Sequence, residues 1–428
     1  MPPKHTAPPK EPKVLDSERG YVDDADYENG HVPVADAIAR SRAGLAALAR
    51  ASKPPTEGAE FPLALIADQD QGSRIDAKGG QWASRLALAS LRYKGDRGEA
   101  SYELELKGAP SDLITERGDK SARGAEYSVL DVFDGRLLTC CDRTGLVEEV
   151  VVDPGTRRLM VTPLRAGGRD DGEPVMLLLG DGSTKKPLKA EWSTQRGGRL
   201  VIGSTGKERT DDSGSVVHHG EMWVKAIAPG TYEVESVDGT PTFNALRAAA
   251  GVGSAPPAGG ASTGYAIHEA GRWSEAHQRW FFMPRKLSRE PYDEEIDTAK
   301  CCNLAMVCPD AGPDGESDVD AAARPFPGGA GPAEVNVLLA PLLGFKPLRG
   351  TSDFIFVPGT NDGHILIIRT EETLEGSCDT HAAVVDLTGN VLMAEHLVEA
   401  GAKYEGVCWT KGWAGLEALE AGLAPAGA

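Results

Sequence analysis

The sequence predicts an all-β fold, a five-bladed β-propeller, and three observations predict it. From Phe61 onward the chain is a succession of short strand-like runs: Phe61 to Ala67, Val129 to Phe133, Leu159 to Thr162, Val175 to Leu179, Leu200 to Ile202, Trp280 to Met283, Phe354 to Val357 and Ile365 to Ile368. Turn markers fall between these runs, as antiparallel hairpins require, at Asp134-Gly135, Asp181-Gly182, Asp238-Gly239, Asn361-Asp362-Gly363 and Gly389-Asn390. Five oxygen-bearing side chains, Ser128, Glu191, Glu269, Ser352 and Glu405, recur in look-alike settings at intervals of 63, 78, 83 and 53 residues. Units of that length, each with a few strands, are the blades of a propeller whose inner strands surround a channel.

The elements follow in chain order. Residues 1–58, rich in Pro, Lys, Asp and Ala with one helical stretch near Val34 to Ala51, read as a flexible, disordered amino-terminal extension. The propeller is expected over 59–411. Its first strands, Phe61 to Ala67 and those around Ala87 to Tyr93 and Tyr102 to Leu106, lack an inner partner, and the last segment, Lys403 to Cys408, is too short for a blade. Joining the two closes the ring and removes its open sheet edges. Phe243 to Val252 reads as a short connecting helix, Gly253 to Thr263 as a low-complexity loop, and about 310–332 as a disordered insertion. The tail, 412–428, has an Ala/Leu/Glu helical texture and is expected to be peripheral.

Composition limits what such a ring can do. The chain has 428 residues, 40% of them hydrophobic, enough for a large core, and all-β architectures of this size can remain one domain. Its 64 acidic against 45 basic residues give a net charge of -19, which disfavours nucleic acid and anionic membrane surfaces as partners. A negatively charged substrate would need a bound cation or local basic residues. Seven cysteines, with adjacent pairs at Cys140-Cys141 and Cys301-Cys302, do not form a disulfide framework, and without a CxxC pair zinc is not expected. No apolar run approaches the ~18 to 20 residues of a membrane span, and the amino terminus lacks the apolar core of a secretory signal. The expectation is a soluble chain with compartment and oligomeric state left open.

The five recurring residues suit one hard cation. Calcium takes about six to eight oxygen ligands in flexible geometry. Glu191, Glu269 and Glu405, with the hydroxyls or nearby carbonyls of Ser128 and Ser352, fit it better than any other common metal. A second constellation, Asp68-Gln69-Asp70, puts two carboxylates on one side of an extended chain, where they could order water, act as a general base or hold a position behind the metal ligands. A third set is basic: Arg143, Lys207 and Arg285 are candidates for contacting phosphate oxygens. Gly203-Ser204-Thr205-Gly206-Lys207-Glu208 is not a phosphate-binding P-loop, because Val201 and Glu208 stand where glycine and Ser/Thr are needed. No Gly-x-Ser-x-Gly elbow or Ser/His/Asp order is evident, which disfavours a covalent hydrolase.

In order along the chain stand Ile66-Ala67-Asp68-x-Asp70, Asp142-Arg143-Thr144-Gly145, Lys189-Ala190-Glu191-Trp192, Gly206-Lys207-Glu208, Trp223-Val224-Lys225, the string from Asn244 to Gly251, Ile267-His268-Glu269, Arg279-Trp280-Phe281-Phe282-x-Pro284-Arg285 and Lys403-Tyr404-Glu405-Gly406. On these segments the chain resembles the soluble calcium-activated nucleotidases of the apyrase family, known from blood-feeding insects and from vertebrates. The resemblance implies a five-bladed propeller with one axial calcium, held by Ser128, Glu191, Glu269, Ser352 and Glu405. It also implies calcium-dependent hydrolysis of nucleoside diphosphates such as UDP or GDP, or of triphosphates, and the mechanism expected for it is direct attack of water. In that scheme Asp68 or Asp70 handles the water, and Arg143, Lys207 and Arg285 hold the phosphates. Three departures mark this chain: Val129 replaces an aspartate after Ser128, with Asp131 expected to compensate on the same strand face; Cys141 precedes Asp142-Arg143; and Arg209 stands where a tryptophan could stack on a base. A non-catalytic, calcium-stabilised propeller acting as a binding scaffold is the competing reading.

Overall fold

A computed structural model of the chain describes residues 34–75, 80–153, 155–156, 158–293, 297–310, 324–327, 337–372 and 377–416. Each hydrophobic run pairs with its sequence neighbour across a turn, which builds antiparallel four-stranded blades one after another. The first blade contains β1 (Glu60–Ala67), β2 (Trp82–Tyr93) and β3 (Tyr102–Leu106), with β4 (Ser111–Thr115) paired to the amino-terminal half of β2. The second is β5 (Tyr127–Phe133), β6 (Arg136–Cys141), β7 (Val147–Val152) and β8 (Leu159–Pro163). The third starts with β9 (Trp192–Arg196) and β10 (Arg199–Gly203). After the small hairpin of β11 (Arg209–Thr210) and β12 (Val216–His218) it continues with β13 (Trp223–Ile227) and β14 (Val234–Asp238).

The fourth blade is β15 (Tyr265–Ser274), β16 (Arg279–Ser288), β17 (Leu304–Pro309) and β18 (Leu338–Pro341). The fifth is β19 (Arg349–Phe356), β20 (His364–Glu372), β21 (Cys378–Asp386) and β22 (Val391–Ala400). The chain then returns to the first blade, where β23 (Tyr404–Trp409) pairs with β1 from Leu63↔Trp409 to Ala67↔Tyr404. Strands β23, β5, β9, β15 and β19 are each in contact with the next and close a ring. The fold is a five-bladed propeller whose first blade is built from both ends of the domain, as the sequence predicts.

Because strand residues alternate between two faces, each blade buries one face against each neighbour, and the core divides into five wedges. Ala64, Ile66 and Leu86 meet Leu130, Leu137 and Val150 between the first two blades. Trp192, Val201 and Val224 meet Trp280, Phe282 and Leu304 between the third and fourth. Phe281, Met283 and Val307 meet Phe354, Ile365 and Ile367 between the fourth and fifth.

Two helices and one insertion attach to this ring. The connecting helix, observed over Thr240–Ala249, buries Phe243 and Leu246 in the third wedge. The amino-terminal helix, Val34–Ala49, buries Ile38 and Leu45 against the propeller. A Cβ on its Gly44 would lie 2.8 Å from the Leu338 side chain, so a larger residue there would make that side chain of β18 move aside. Within the segment expected to be a flexible extension, the helix is therefore packed through Ile38 and Leu45, residues 50–58 are mostly exposed, and 1–33 lie outside the described residues. In the insertion expected to be a disordered loop, Asp310 pairs with Arg196 and Arg324, and Phe326 is fully buried among Trp192, Phe243 and Trp280. Residues 311–323 and 328–336, and of the helical tail expected over 412–428 the residues from 417 on, are outside the described residues. Val175 to Leu179, expected as a strand, makes isolated bridges, with Met176 opposite Leu146 and Leu178 opposite Pro187. Among the described residues no helix is long and apolar enough to cross a membrane.

Candidate active site

Four of the five recurring residues lie where a strand slips register. On β5, Tyr127 faces Cys141 and Val129 faces Cys140, leaving Ser128 without a partner. On β19, Thr351 faces Arg369 and Asp353 faces Ile368, leaving out Ser352. On β23, Tyr404 faces Ala67 and Gly406 faces Ile66, leaving out Glu405, and on β15 Glu269 falls in the slip between His268 and Gly271. The fifth, Glu191, immediately precedes β9 and donates its backbone N–H to Gly203 O at 2.8 Å. A bulge breaks the left-right alternation of an inner strand and re-aims one side chain. Ordinary neighbours such as Val129 and Leu130 point into the wedges on either side, while the bulged residues turn to the axis.

There they meet. The Ser128 hydroxyl donates to Glu405 Oε2 at 2.9 Å. The guanidinium of Arg285, from β16, donates to Glu269 Oε2 at 2.6 Å, Ser352 Oγ at 3.0 Å and Glu405 Oε1 at 3.4 Å, and its other Nη lies 2.9 Å from Glu372 Oε1. Lys403 Nζ sits 2.9 Å from Glu405, 3.1 Å from Asp70, 3.3 Å from Glu372 and 3.9 Å from Asp68. Lys189 pairs with Glu191 and, at 3.3 Å, with Asp142. Seven carboxylates (Asp68, Asp70, Asp142, Glu191, Glu269, Glu372 and Glu405) thus share three cations (Lys189, Arg285 and Lys403). Beside them Asp68, Asp70 and Glu126 bring ligand oxygens within 4.8 Å of one another, and Arg123 bonds both Glu126 and Asp70. A cavity of about 710 Å³ opens onto this cluster, lined by Asp68, Asp70, Arg123, Glu372, Cys378 and Lys403.

The excess negative charge, held largely out of water, sets the protonation. Burial raises Glu191 against the pull of Lys189, and raises Glu269 against Arg285. Burial likewise pushes Asp68 well up. For Asp70 the same push is overridden by the Lys403 ammonium, which holds it low. Arg285 holds Glu372 far below the usual carboxylate range. Lys189 and Lys403 are raised, because their carboxylate partners outweigh the cost of burial. Asp70 has a positive φ of 46°, unusual for a residue with a Cβ, and donates its N–H to Asp68 Oδ1 at 2.7 Å.

The other predicted positions are placed differently. Arg285 stands among the five recurring residues rather than at the cavity wall. Arg143 donates to Asp119 Oδ2 at 2.8 Å and to Ser121 at 3.2 Å. Lys207 donates to Glu208 O at 3.0 Å and lies 4.5 Å from the centre of the Tyr292 ring, away from the axial carboxylates. Asp131 does not compensate for Val129. The Ser128 bulge resets the alternation, and Asp131 accepts from Gln195 at 2.6 Å and pairs with Arg272 at 3.6 Å. Arg272 also holds Asp353 at 2.6 Å and donates to Phe354 O and Val407 O, tying together the inner strands at another level of the channel. Sequence reading missed Arg123, Glu126, Asp142, Lys189, Glu372 and Lys403 as site residues. Lys189 and Lys403 carried a readable signal, each lying two residues before an axial glutamate and so on its side of an extended chain.

Comparison with known proteins decides the family. The family model described as Apyrase matches residues 69–312 and 337–409. The chain belongs to the apyrase family. It is 33% identical over 352 residues to soluble calcium-activated nucleotidase 1 of Rattus norvegicus, covering 82% of this chain and 74% of that one. It is 29% identical to an apyrase of Cimex lectularius, covering 81% and 82%, and 25% identical to an apyrase of Phlebotomus duboscqi, covering 85% and 92%. Of the three departures, Val129 and Cys141 are buried in apolar wedges and Arg209 is exposed on the small hairpin.

The residues at the axis fit a calcium ion by their chemistry. The five recurring side chains are all oxygen ligands, the carboxylates around them exceed the cations, and the buried Asp142 Oδ1 lacks a hydrogen-bond partner among the described residues.

Proposed function

We propose that this apyrase-family chain hydrolyses nucleoside diphosphates, and with them triphosphates, in a calcium-dependent reaction by direct attack of water. The observation that carries the reading is the carboxylate-rich axial cluster opening into a cavity large enough for a nucleotide's phosphates. Ser128, Glu191, Glu269, Ser352 and Glu405 would hold the ion. Calcium bound there would neutralise phosphate charge and polarise the phosphoanhydride.

The chain's own residues divide the remaining work. Asp70 lies half-exposed at the cavity wall and is kept ionised by Lys403, so it is the base that takes the proton of the attacking water. Asp68, buried behind it, accepts the Asp70 N–H and fixes that carboxylate's direction. Arg285 positions Glu269, Ser352 and Glu405 from within the cluster. Arg143, through Asp119, anchors the loop that carries Arg123. A non-catalytic scaffold is the second reading, favoured by the fact that Arg285 already places a positive charge against three of the five oxygen donors.

Hydrolysis of UDP, GDP and ADP titrated with calcium, with magnesium as control, separates the two. Turnover that rises with calcium supports the enzyme. Calcium-independent turnover sinks the assigned mechanism, and a calcium-induced rise in Tm without turnover selects the scaffold. Glu191→Gln and Glu269→Gln are each expected to remove the calcium-induced Tm shift and to lower kcat/KM on the order of 10²-fold.

A further inference from the structure

Resting on the nucleotidase reading, we propose that Lys189 and Lys403 are the cations that contact the substrate's phosphates. The basic residues expected in that role from sequence are committed elsewhere. Arg143 is held by Asp119 and Ser121. Lys207 is folded back on the Glu208 carbonyl and the Tyr292 ring. Arg285 is 1% exposed and bonded to four groups of the cluster. Arg123 lines the cavity, but its Nε and Nη2 both engage Glu126 and it also holds Asp70.

Lys189 and Lys403 stand differently. Each precedes an axial glutamate by two residues, at Lys189-Ala190-Glu191 and Lys403-Tyr404-Glu405. They enter the axis from the third and the first blade, on either side of the blade that carries Ser128. Lys403 lines the cavity and Lys189 keeps 44% of its side chain exposed, so both ammonium groups can be reached. Their partners are carboxylates of the axial cluster rather than structural backbone groups. An ammonium with three donors can pivot from a carboxylate to a phosphate oxygen without rebuilding the site. A diphosphate in the cavity meets Lys403 at its wall, and one that reaches on to the axis meets Lys189 on the other side of the blade that carries Ser128.

The test uses the full chain with Lys189→Met, Lys403→Met and the charge-retaining Lys189→Arg and Lys403→Arg. Steady-state kinetics with UDP and direct binding of α,β-methylene-UDP are measured in calcium. The methionine variants are expected to raise KM and weaken analogue binding at least tenfold, to keep the calcium-induced Tm shift, and to be rescued in large part by arginine. KM and analogue affinity within twofold of wild type would overturn the proposal. Should a methionine variant not fold, a Lys189→Arg or Lys403→Arg chain that shows no change in analogue affinity with salt between low and moderate ionic strength would also count against it. If wild type turns over no nucleotide, the nucleotidase reading fails on its own. Binding of methylenediphosphonate then still decides the lysines: loss in the methionine variants supports them, and equal or absent binding in wild type and variants rejects them.

Discussion

At the scale of single residues, the axial cluster is surrounded by side chains whose cost is as informative as their contacts. His268, one position before Glu269, is fully buried against Phe243 and Phe282, and neither ring nitrogen has a hydrogen-bond partner among the described residues. Burial, and secondarily the Arg247 charge, depress it to about 3. An ordinary histidine titrates near 6.5. As pH falls through 6.5 the unfolded chain takes the proton first, so stability is lost progressively from that pH down to about 3. His268→Phe keeps the ring packing and removes the titration. Between pH 7 and pH 5 the wild type should lose about 2 kcal/mol more than the variant in denaturant unfolding. Parallel pH profiles for the two proteins would show that the imidazole is not the group responsible.

At the scale of elements, the bulges decide which residues reach the axis, and they explain what could be read from sequence. The strand runs, their turn markers and the closure of β1 by β23 were legible because hydrophobic alternation and hairpin chemistry are local. The five recurring residues were legible as a rhythm, but the parity argument that put Asp131 beside Ser128 failed: a one-residue slip is invisible in the pattern and reverses every face after it. The placement of Arg143 and Lys207 was not legible, since their partners Asp119 and Tyr292 come from loops distant in sequence. Nor was the docking of Phe326 in an insertion of low complexity. Bulged inner strands also pack tightly against the next blade. A Cβ at Gly406, next to the Glu405 bulge, would lie 2.9 Å from Leu130 N and 3.0 Å from Val129 C, backbone atoms of β5 that cannot move aside. Gly406→Ala is expected to cost about 1–3 kcal/mol by denaturant unfolding. A neutral result would show that the first and second blades can part without loss.

At the scale of the molecule, ring closure and completion of the site depend on one short strand. β23 covers the inner edge of β1, brings Val407 into the wedge between the fifth and first blades, and carries both Lys403 and Glu405. Its backbone also accepts from Arg272 at Val407 O and donates from Val407 N to Asp353 Oδ2 at 3.0 Å, so the strand is fastened to the fourth and fifth blades. A chain ending at Gly401 would keep four complete blades but expose the edge of β1 and leave Arg272, Asp353 and Arg285 short of partners in a space with little water. Unpaired sheet edges and buried unpaired charges are both strongly unfavourable. The truncated chain is therefore expected to lack a cooperative thermal transition, to bind a hydrophobic dye and to show no calcium-induced stabilisation. A synthetic peptide of residues 402–416 added in trans should restore the transition and the response to calcium together, because the same strand supplies the edge and the carboxylate. Recovery of the transition without the calcium response would separate closure from the site and place the ion's ligands elsewhere. A truncated chain melting cooperatively within a few degrees of the full chain would refute the dependence of the ring on β23.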